Sequence, residues 1–307
     1  MRHMNRPAAL KTKDLIGIAA PASPFDRKKF MHGVHVLEKL GFKVRFSSDI
    51  FDQNRYLAGT DERRARELTG LFVDKEVKAI MFARGGYGSQ RIIPLLNSEI
   101  IGNNPKPVIG FSDITALLAY LRQNASVPTF YGPAITQLGS SPDGFTGEML
   151  AAAISTSGPI GYAAMNGSYA LNTGKAEGTF VGGCLSIINS SISTPYEMKT
   201  EASILFIEEI NEKVYVLDRM LTQLKNSGKL ESVRAVVFGS IIPPPDEPHD
   251  VVSMIQDVFK SFKGPIVMNY PAGHLDRFAT LPLGVDASLD ATDANHPRLT
   301  FLSGLLS

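Results

Sequence analysis

The sequence predicts an α/β protein of two domains: an N-terminal doubly wound, mainly parallel sheet, followed by a smaller C-terminal α/β domain. Three observations lead there. Short apolar runs alternate with amphipathic ones through the first half, the pattern of βαβ units. The chain has 307 residues, enough for two cores at roughly 100 to 200 residues per domain. Near residues 155–175 the texture turns small and polar, without sustained periodicity.

In order along the chain, strands are expected at 15–20, 43–47, 79–84 and 107–111. Phe30, Val34, Leu37 and Leu40 recur at helical spacing and stop at Gly41, suited to the left-handed residue that ends a helix. A second helix starts at Thr60 as N-cap and turns Leu68, Leu71 and Phe72 inward. A third runs from about Asp113 with Leu117, Leu118 and Leu121. These elements fill an N-terminal domain at 1–154, a linker follows at 155–175, and the C-terminal domain occupies 176–307. Its strands are expected at 204–208, 235–242, 265–268 and 299–302. Its best helix spans 213–227, with Val214, Leu217, Met220, Leu221 and Leu224 on one face and Gly228 after it. The loop PPPDEPHD precedes a helix carrying Val252, Ile255, Phe259 and Phe262.

Composition narrows the function. The 31 basic and 30 acidic side chains are interspersed and leave no footprint for nucleic acid or an anionic membrane, so a small molecule or peptide is the expected partner. No stretch approaches the ~20 apolar residues that span a bilayer. The basic opening MRHMNRPAALKTKD is followed by an apolar run too short for a signal sequence, so a soluble cytoplasmic chain is expected. The lone cysteine, Cys184, forbids an intramolecular disulfide and fits a reducing compartment. The Asn-x-Ser/Thr matches at Asn124, Asn166 and Asn189 are chance in that setting. Six scattered histidines argue against a dedicated metal site, and no cofactor is expected.

Chemistry concentrates in two loops. In PVIGFSDITALLAYL, Ser112 lies between an apolar run and an amphipathic helix. There a serine hydroxyl is lifted above the sheet edge, and the N–H groups that follow can face a developing oxyanion. The alternative is that Ser112 is an N-cap with Asp113 in the first turn; G-x-S-x-G is only half matched, because Ile114 replaces the second glycine. In ARGGYGSQRIIPLL, Gly85, Gly86 and Gly88 bring bare backbone close to a ligand. Arg91 stands where a dinucleotide loop needs its third glycine. A nucleophilic serine needs a base, and the base an orienting carboxylate. His32 and His35 lie in the first helix, His3 in the N-terminal tail, and His249 and His296 in polar turns; His274 follows a strand beside Gly273. Glu208 and Glu209 end an apolar run, where a carboxylate is costly unless partnered; a surface salt bridge to Lys213 or Arg219 is the competing explanation.

Taken in order, these motifs resemble the LD-carboxypeptidase (muramoyltetrapeptide carboxypeptidase) family of serine peptidases, over nearly the whole chain. The matching segments are IGIAAPASP, YLAGTDERRARELTGLF, ARGGYGSQRIIPLL, VIGFSDITALL, TFYGPA, GGCLSIINSSISTPYE, ILFIEEINEKVYVLDRMLTQLKNSG and AGHLDRFATLPLG. The resemblance implies a C-terminal domain of swivelling type, with Ser112 as nucleophile, His274 as general base and Glu208 as the carboxylate orienting it, Glu209 being the runner-up. It implies a site between the domains, and oxyanion donors at the backbone N–H groups of Gly86 and Asp113, with Gly85 as alternative. The implied substrate is a murein tetrapeptide cut before its terminal D-alanine, and the implied assembly a homodimer. Arg84 and Arg219 are candidates for the substrate's carboxylates. Position 184 is commonly asparagine in the family. Immunity proteins against microcin C resemble the chain in the same motifs but stack their base on an aromatic, often tryptophan, and this chain has none; Tyr162 or Tyr169 stands as substitute. A third alternative is a nucleotide- or sugar-phosphate-binding module that uses the glycine loop without catalysis.

Overall fold

The computed structural model describes residues 6–140, 143–162 and 167–307; His3 and Asn166 lie outside them, as does the side chain of Tyr162. The chain divides into two compact units. Met1–Gly158, Asp276–Leu283 and Gly304–Ser307 make the first; Pro159–Leu275 and Gly284–Ser303 make the second.

The first unit is built on five parallel strands, β1 (Leu15–Ala19), β2 (Lys43–Arg45), β3 (Val77–Phe82), β4 (Val108–Gly110) and β5 (Thr129–Tyr131), in the order 2-1-3-4-5. Leu281–Leu283 adds an antiparallel edge beside β5. Helices cover the sheet, so its central strands are mostly buried and read as apolar runs, broken in β3 only by the exposed Lys78. The Arg27–Lys39 helix buries Phe30, Val34 and Leu37, and Gly41 behind it takes φ +94°. The Thr60 hydroxyl accepts a hydrogen bond from Arg63 N at 3.2 Å, capping the Asp61–Val73 helix as expected. The strand order reverses between β1 and β3, so the carboxyl ends of these strands are where an open sheet of this kind binds ligands. Three loops leave from that edge, after β1, β3 and β4, and each carries a motif singled out above.

The second unit has a sheet of eight strands among the described residues. Its centre is parallel: Lys175–Cys184, Ser203–Ile210, Ala235–Ile242 and Ile266–Met268 lie side by side. Antiparallel strands flank it, Tyr169–Asn172 on one side and Asp286–Asp290, Arg298–Phe301 and Gly161–Tyr162 on the other. The Val214–Asn226 helix buries Val214, Leu217, Leu221 and Leu224, with Gly228 at φ +76° beyond it. The two-domain α/β architecture expected from the sequence is therefore present, but its boundaries differ. Within 155–175, Gly161–Tyr162 and Tyr169–Asn172 are edge strands, which need periodicity on one face only and so read as linker. The 176–307 stretch is not one body either, because Asp276–Leu283 and Gly304–Ser307 return to the first unit. Among the described residues no helix is long and apolar enough to cross a membrane.

Candidate active site

Ser112 follows β4 after one residue, Phe111, and sits at φ +61°. Left-handed backbone costs a side-chain-bearing residue roughly 1–2 kcal/mol, so its surroundings must hold it there. They do so on two sides. Its N–H donates to the Tyr131 hydroxyl at 3.1 Å, and the short turn Ser112–Ile114 then leads into the Thr115–Ala125 helix. Neither segment takes a side-chain cap from Ser112, so the serine forms a strained elbow rather than an N-cap.

The glycine loop packs on this elbow. A Cβ at Gly85 would lie 3.0 Å from Ser112 Cβ and 3.3 Å from its Oγ, so a larger residue would crowd the serine. Gly86, at φ +99°, lies against Ser23 from the loop after β1. Tyr87 N donates to Ser23 Oγ at 3.0 Å, and Ser23 N to Gly85 O at 3.3 Å. From the other side, the Asp113 carboxylate accepts from Ser89 N at 2.8 Å. Arg91, at the missing third glycine, forks onto Asp61 at 2.6 to 3.1 Å; that residue is part of an ion pair and not of a dinucleotide loop.

The second unit holds the expected carboxylate and histidine side by side. Glu208, fully buried in Ser203–Ile210, places Oε2 2.7 Å from His274 Nδ1. His274 N donates to the buried Ser240 hydroxyl at 2.9 Å, so ring and backbone are both held. Gly273, at φ +113°, gives this loop its bend and leaves room for Glu208. One residue further along the strand the side chain reverses. Glu209 accepts from Ser186 N at 2.7 Å and from the Cys184 thiol at 3.4 and 3.6 Å. The carboxylate facing His274 is therefore that of Glu208, and the surface salt bridge to Lys213 or Arg219 is not what holds it. Burial, aided by Glu208 and Glu209, pushes the Cys184 thiol well above its ordinary range. That thiol supplies a hydrogen bond to Glu209 at the position where the resemblance led us to expect an amide.

The structure thus groups Ser112, Asp113 and the 85–88 loop in the first unit and pairs Glu208 with His274 in the second. Arg84 is exposed and donates to Pro24 O at 3.0 Å. Arg219 is also exposed, its guanidinium 5.4 Å from the Tyr215 ring centre. Among the described residues no cluster of three or more His, Cys, Asp or Glu is grouped so as to hold an ion. Sequence reasoning missed Tyr131 and Ser240. Ser240 carried a signal, as the lone hydroxyl in the apolar run AVVFGSII.

Fold and geometry together define a two-domain α/β protein with a serine elbow in one unit and a buried Glu–His pair in the other. Residues 16–132 match the LD-carboxypeptidase N-terminal domain and residues 177–289 the LD-carboxypeptidase C-terminal domain, so the chain belongs to the LD-carboxypeptidase family. A probable murein peptide carboxypeptidase of Bacillus subtilis (strain 168) is 34% identical over 294 residues, covering 94% of this chain and 92% of the relative. The solved structure of Microcin C7 self-immunity protein MccF in complex with glutamyl sulfamoyl guanosine superposes with a TM-score of 0.91 at 25% identity, covering 98% of this chain and 99% of that one. Muramoyltetrapeptide carboxypeptidase from Oxalobacter formigenes superposes with a TM-score of 0.83 at 26% identity, covering 94% and 98%.

Proposed function

We propose that the protein is a serine-type LD-carboxypeptidase of cell-wall recycling. It hydrolyses the amide between the L-centre of a diamino acid and the terminal D-alanine of a murein tetrapeptide. The observation that supports this most is the buried Glu208–His274 pair, with 2.7 Å between carboxylate and Nδ1. A carboxylate there selects the tautomer with the proton on Nδ1 and makes Nε2 the basic nitrogen.

In this reading Ser112 Oγ attacks the amide carbonyl as His274 Nε2 takes its proton. The N–H groups of Gly86 and Asp113, with Gly85 as alternative, bind the oxyanion, each contributing roughly 3 kcal/mol. The imidazolium then protonates the departing nitrogen, the C–N bond breaks, and D-alanine leaves an acyl-Ser112. Water activated by His274 hydrolyses that ester and restores the serine. Arg84 and Arg219 receive substrate carboxylates. The enzyme acts as a cytoplasmic homodimer, a location that the lone, buried Cys184 suits.

A second reading, hydrolysis of a peptidyl or aminoacyl nucleotide, is favoured by the higher TM-score to the self-immunity protein, 0.91 against 0.83. Incubation with both substrates, followed by mass spectrometry, separates the two. Release of D-alanine is expected, with Ser112→Ala and His274→Ala each losing on the order of 10⁶-fold in kcat. D-alanine release that survives Ser112→Ala overturns the serine mechanism. A ligand-binding role without catalysis requires that no product form from either substrate.

A further inference from the structure

The glycine loop is gripped by buried charged side chains that the acyl-transfer step does not use. Arg64, fully buried in the Asp61–Val73 helix, donates from Nη1 to Gly88 O at 2.9 Å and to Pro21 O, and from Nη2 to Asp61. Asp113, 1% exposed, accepts from Ser89 N at 2.8 Å, and the fully buried Ser89 hydroxyl donates to Asp113 O at 2.6 Å. Gly88 O and Ser89 N–H are the two ends of one peptide group. A guanidinium thus holds its carbonyl and a carboxylate its N–H. The Cβ of any larger residue at 88 would meet Arg64 Nη1 at 2.9 Å and Leu57 at 2.7 Å.

Stability alone is a poor reason for this arrangement. Buried charges contribute little compared with apolar residues of the same volume; what they add is direction. Direction matters here because Asp113 has two ends in play. Its backbone adjoins Ser112, whereas its carboxylate reaches the loop that packs against Ser112 at Gly85. Burial pushes the Asp113 carboxyl up, and the Ser89 and Gly88 amides and Arg64 work against that shift.

We propose that Arg64 and Asp113 are positioning residues for the oxyanion hole: by holding opposite ends of the Gly88–Ser89 peptide, they fix the glycine loop against Ser112 so that its N–H and that of Asp113 meet one oxyanion. This rests on the serine mechanism proposed above. An oxyanion donor acts only within about 2.7–3.1 Å of the position the oxyanion takes. Loss of the grip therefore weakens transition-state binding and leaves ground-state binding nearly intact.

The test uses Asp113→Asn, Ser89→Ala, Arg64→Lys and Arg64→Met, each checked for folding by urea denaturation. The amide of Asp113→Asn retains the backbone N–H but not the charge. Asp113→Asn should lower kcat about 10²-fold and Ser89→Ala about 10-fold, with KM changed by less than about 3-fold. Arg64→Lys should recover part of the kcat lost in Arg64→Met. Phosphonylation of Ser112 by a fluorophosphonate, in which Oγ displaces fluoride, passes through a similar oxyanion without the peptide and should slow in parallel. Folded variants with kcat and labelling rate within about 3-fold of the wild type overturn the proposal, as does a KM rise at constant kcat. Should Asp113→Asn not fold, Arg64→Met read against Arg64→Lys decides by the same criteria. If D-alanine release is absent or survives Ser112→Ala, the serine carboxypeptidase reading has failed instead, and the labelling rates still decide the grip.

Discussion

Replacing Gly273 with alanine tests the proposed role of the Glu208–His274 pair with little change in composition. The added Cβ would lie 2.5 Å from Ser240 Oγ, 2.6 Å from Glu208 Oε2 and 3.0 Å from Glu208 Cβ, at a backbone φ of +113°. Backbone strain there costs roughly 1–3 kcal/mol. An ordinary contact begins near 3.4 Å, so the Glu208 oxygen must withdraw by about 0.8 Å. Movement along the hydrogen bond stretches the 2.7 Å link to His274 to about 3.5 Å, beyond the usual range of 2.7–3.2 Å. Loss of the orienting carboxylate in a serine triad lowers kcat by about 10⁴-fold, so displacement of one should lower it by about 10²- to 10³-fold. Gly167→Ala is the matched control: φ is +94° but, among the described residues, no atom beyond its chain neighbours lies within 4 Å, so it carries strain without displacement. Steady-state D-alanine release and urea unfolding, measured on both, separate strain from catalysis. The reasoning is refuted if folded Gly273→Ala keeps kcat within about 3-fold of the wild type, or if Gly167→Ala loses as much.

Ser240→Ala removes the acceptor for His274 N and should lower kcat about 10-fold at a stability cost of about 1 kcal/mol; unchanged kcat in the folded variant contradicts its positioning role. Burial, opposed by Arg63 and the Ala20 amide, lifts Glu67 to about 7 from 4.5, so the native state binds the extra proton between those values. Its contribution to stability is full below pH 4.5 and lost as pH rises through 7, with a slope of up to about 1.4 kcal/mol per pH unit. Urea unfolding from pH 4.5 to 8 should show that slope in the wild type and not in Glu67→Gln. The Cys184 thiol should not react with a disulfide reagent at pH 8 until urea is added; rapid reaction in the folded protein would contradict its placement.

How much of the fold was legible followed burial on two faces or one. Strands such as VKAIMF and SILFIEEI are covered on both sides and were readable as apolar runs. Edge strands were not: Tyr169–Asn172 is only half-buried and Gly161–Tyr162 has two residues. Lys175–Cys184 is central yet was missed, because three of its ten residues are glycine. Gly182 explains one of them, since its Cβ would lie 1.9 Å from Phe206 O on the adjoining strand. The return of Asp276–Leu283 to the first unit depends on Leu281–Leu283 finding β5, a pairing that no local pattern reveals.

The site was legible where a residue's chemistry is unusual for its surroundings and obscure where only direction decides. Glu208 and Glu209 look alike in the sequence; alternation says that they diverge, but not which one meets a histidine 66 positions away. Ser112 as elbow or cap was a question of one dihedral angle, and φ +61° answers it. Arg64 is the instructive case. It precedes Leu68 by four residues and therefore lies on the inward stripe of its helix, where a guanidinium needs a partner. A charge on an apolar stripe is a signal in sequence alone. Its partner, the Gly88–Ser89 peptide, is not, because backbone groups are the same at every position and only the fold decides which one a side chain meets.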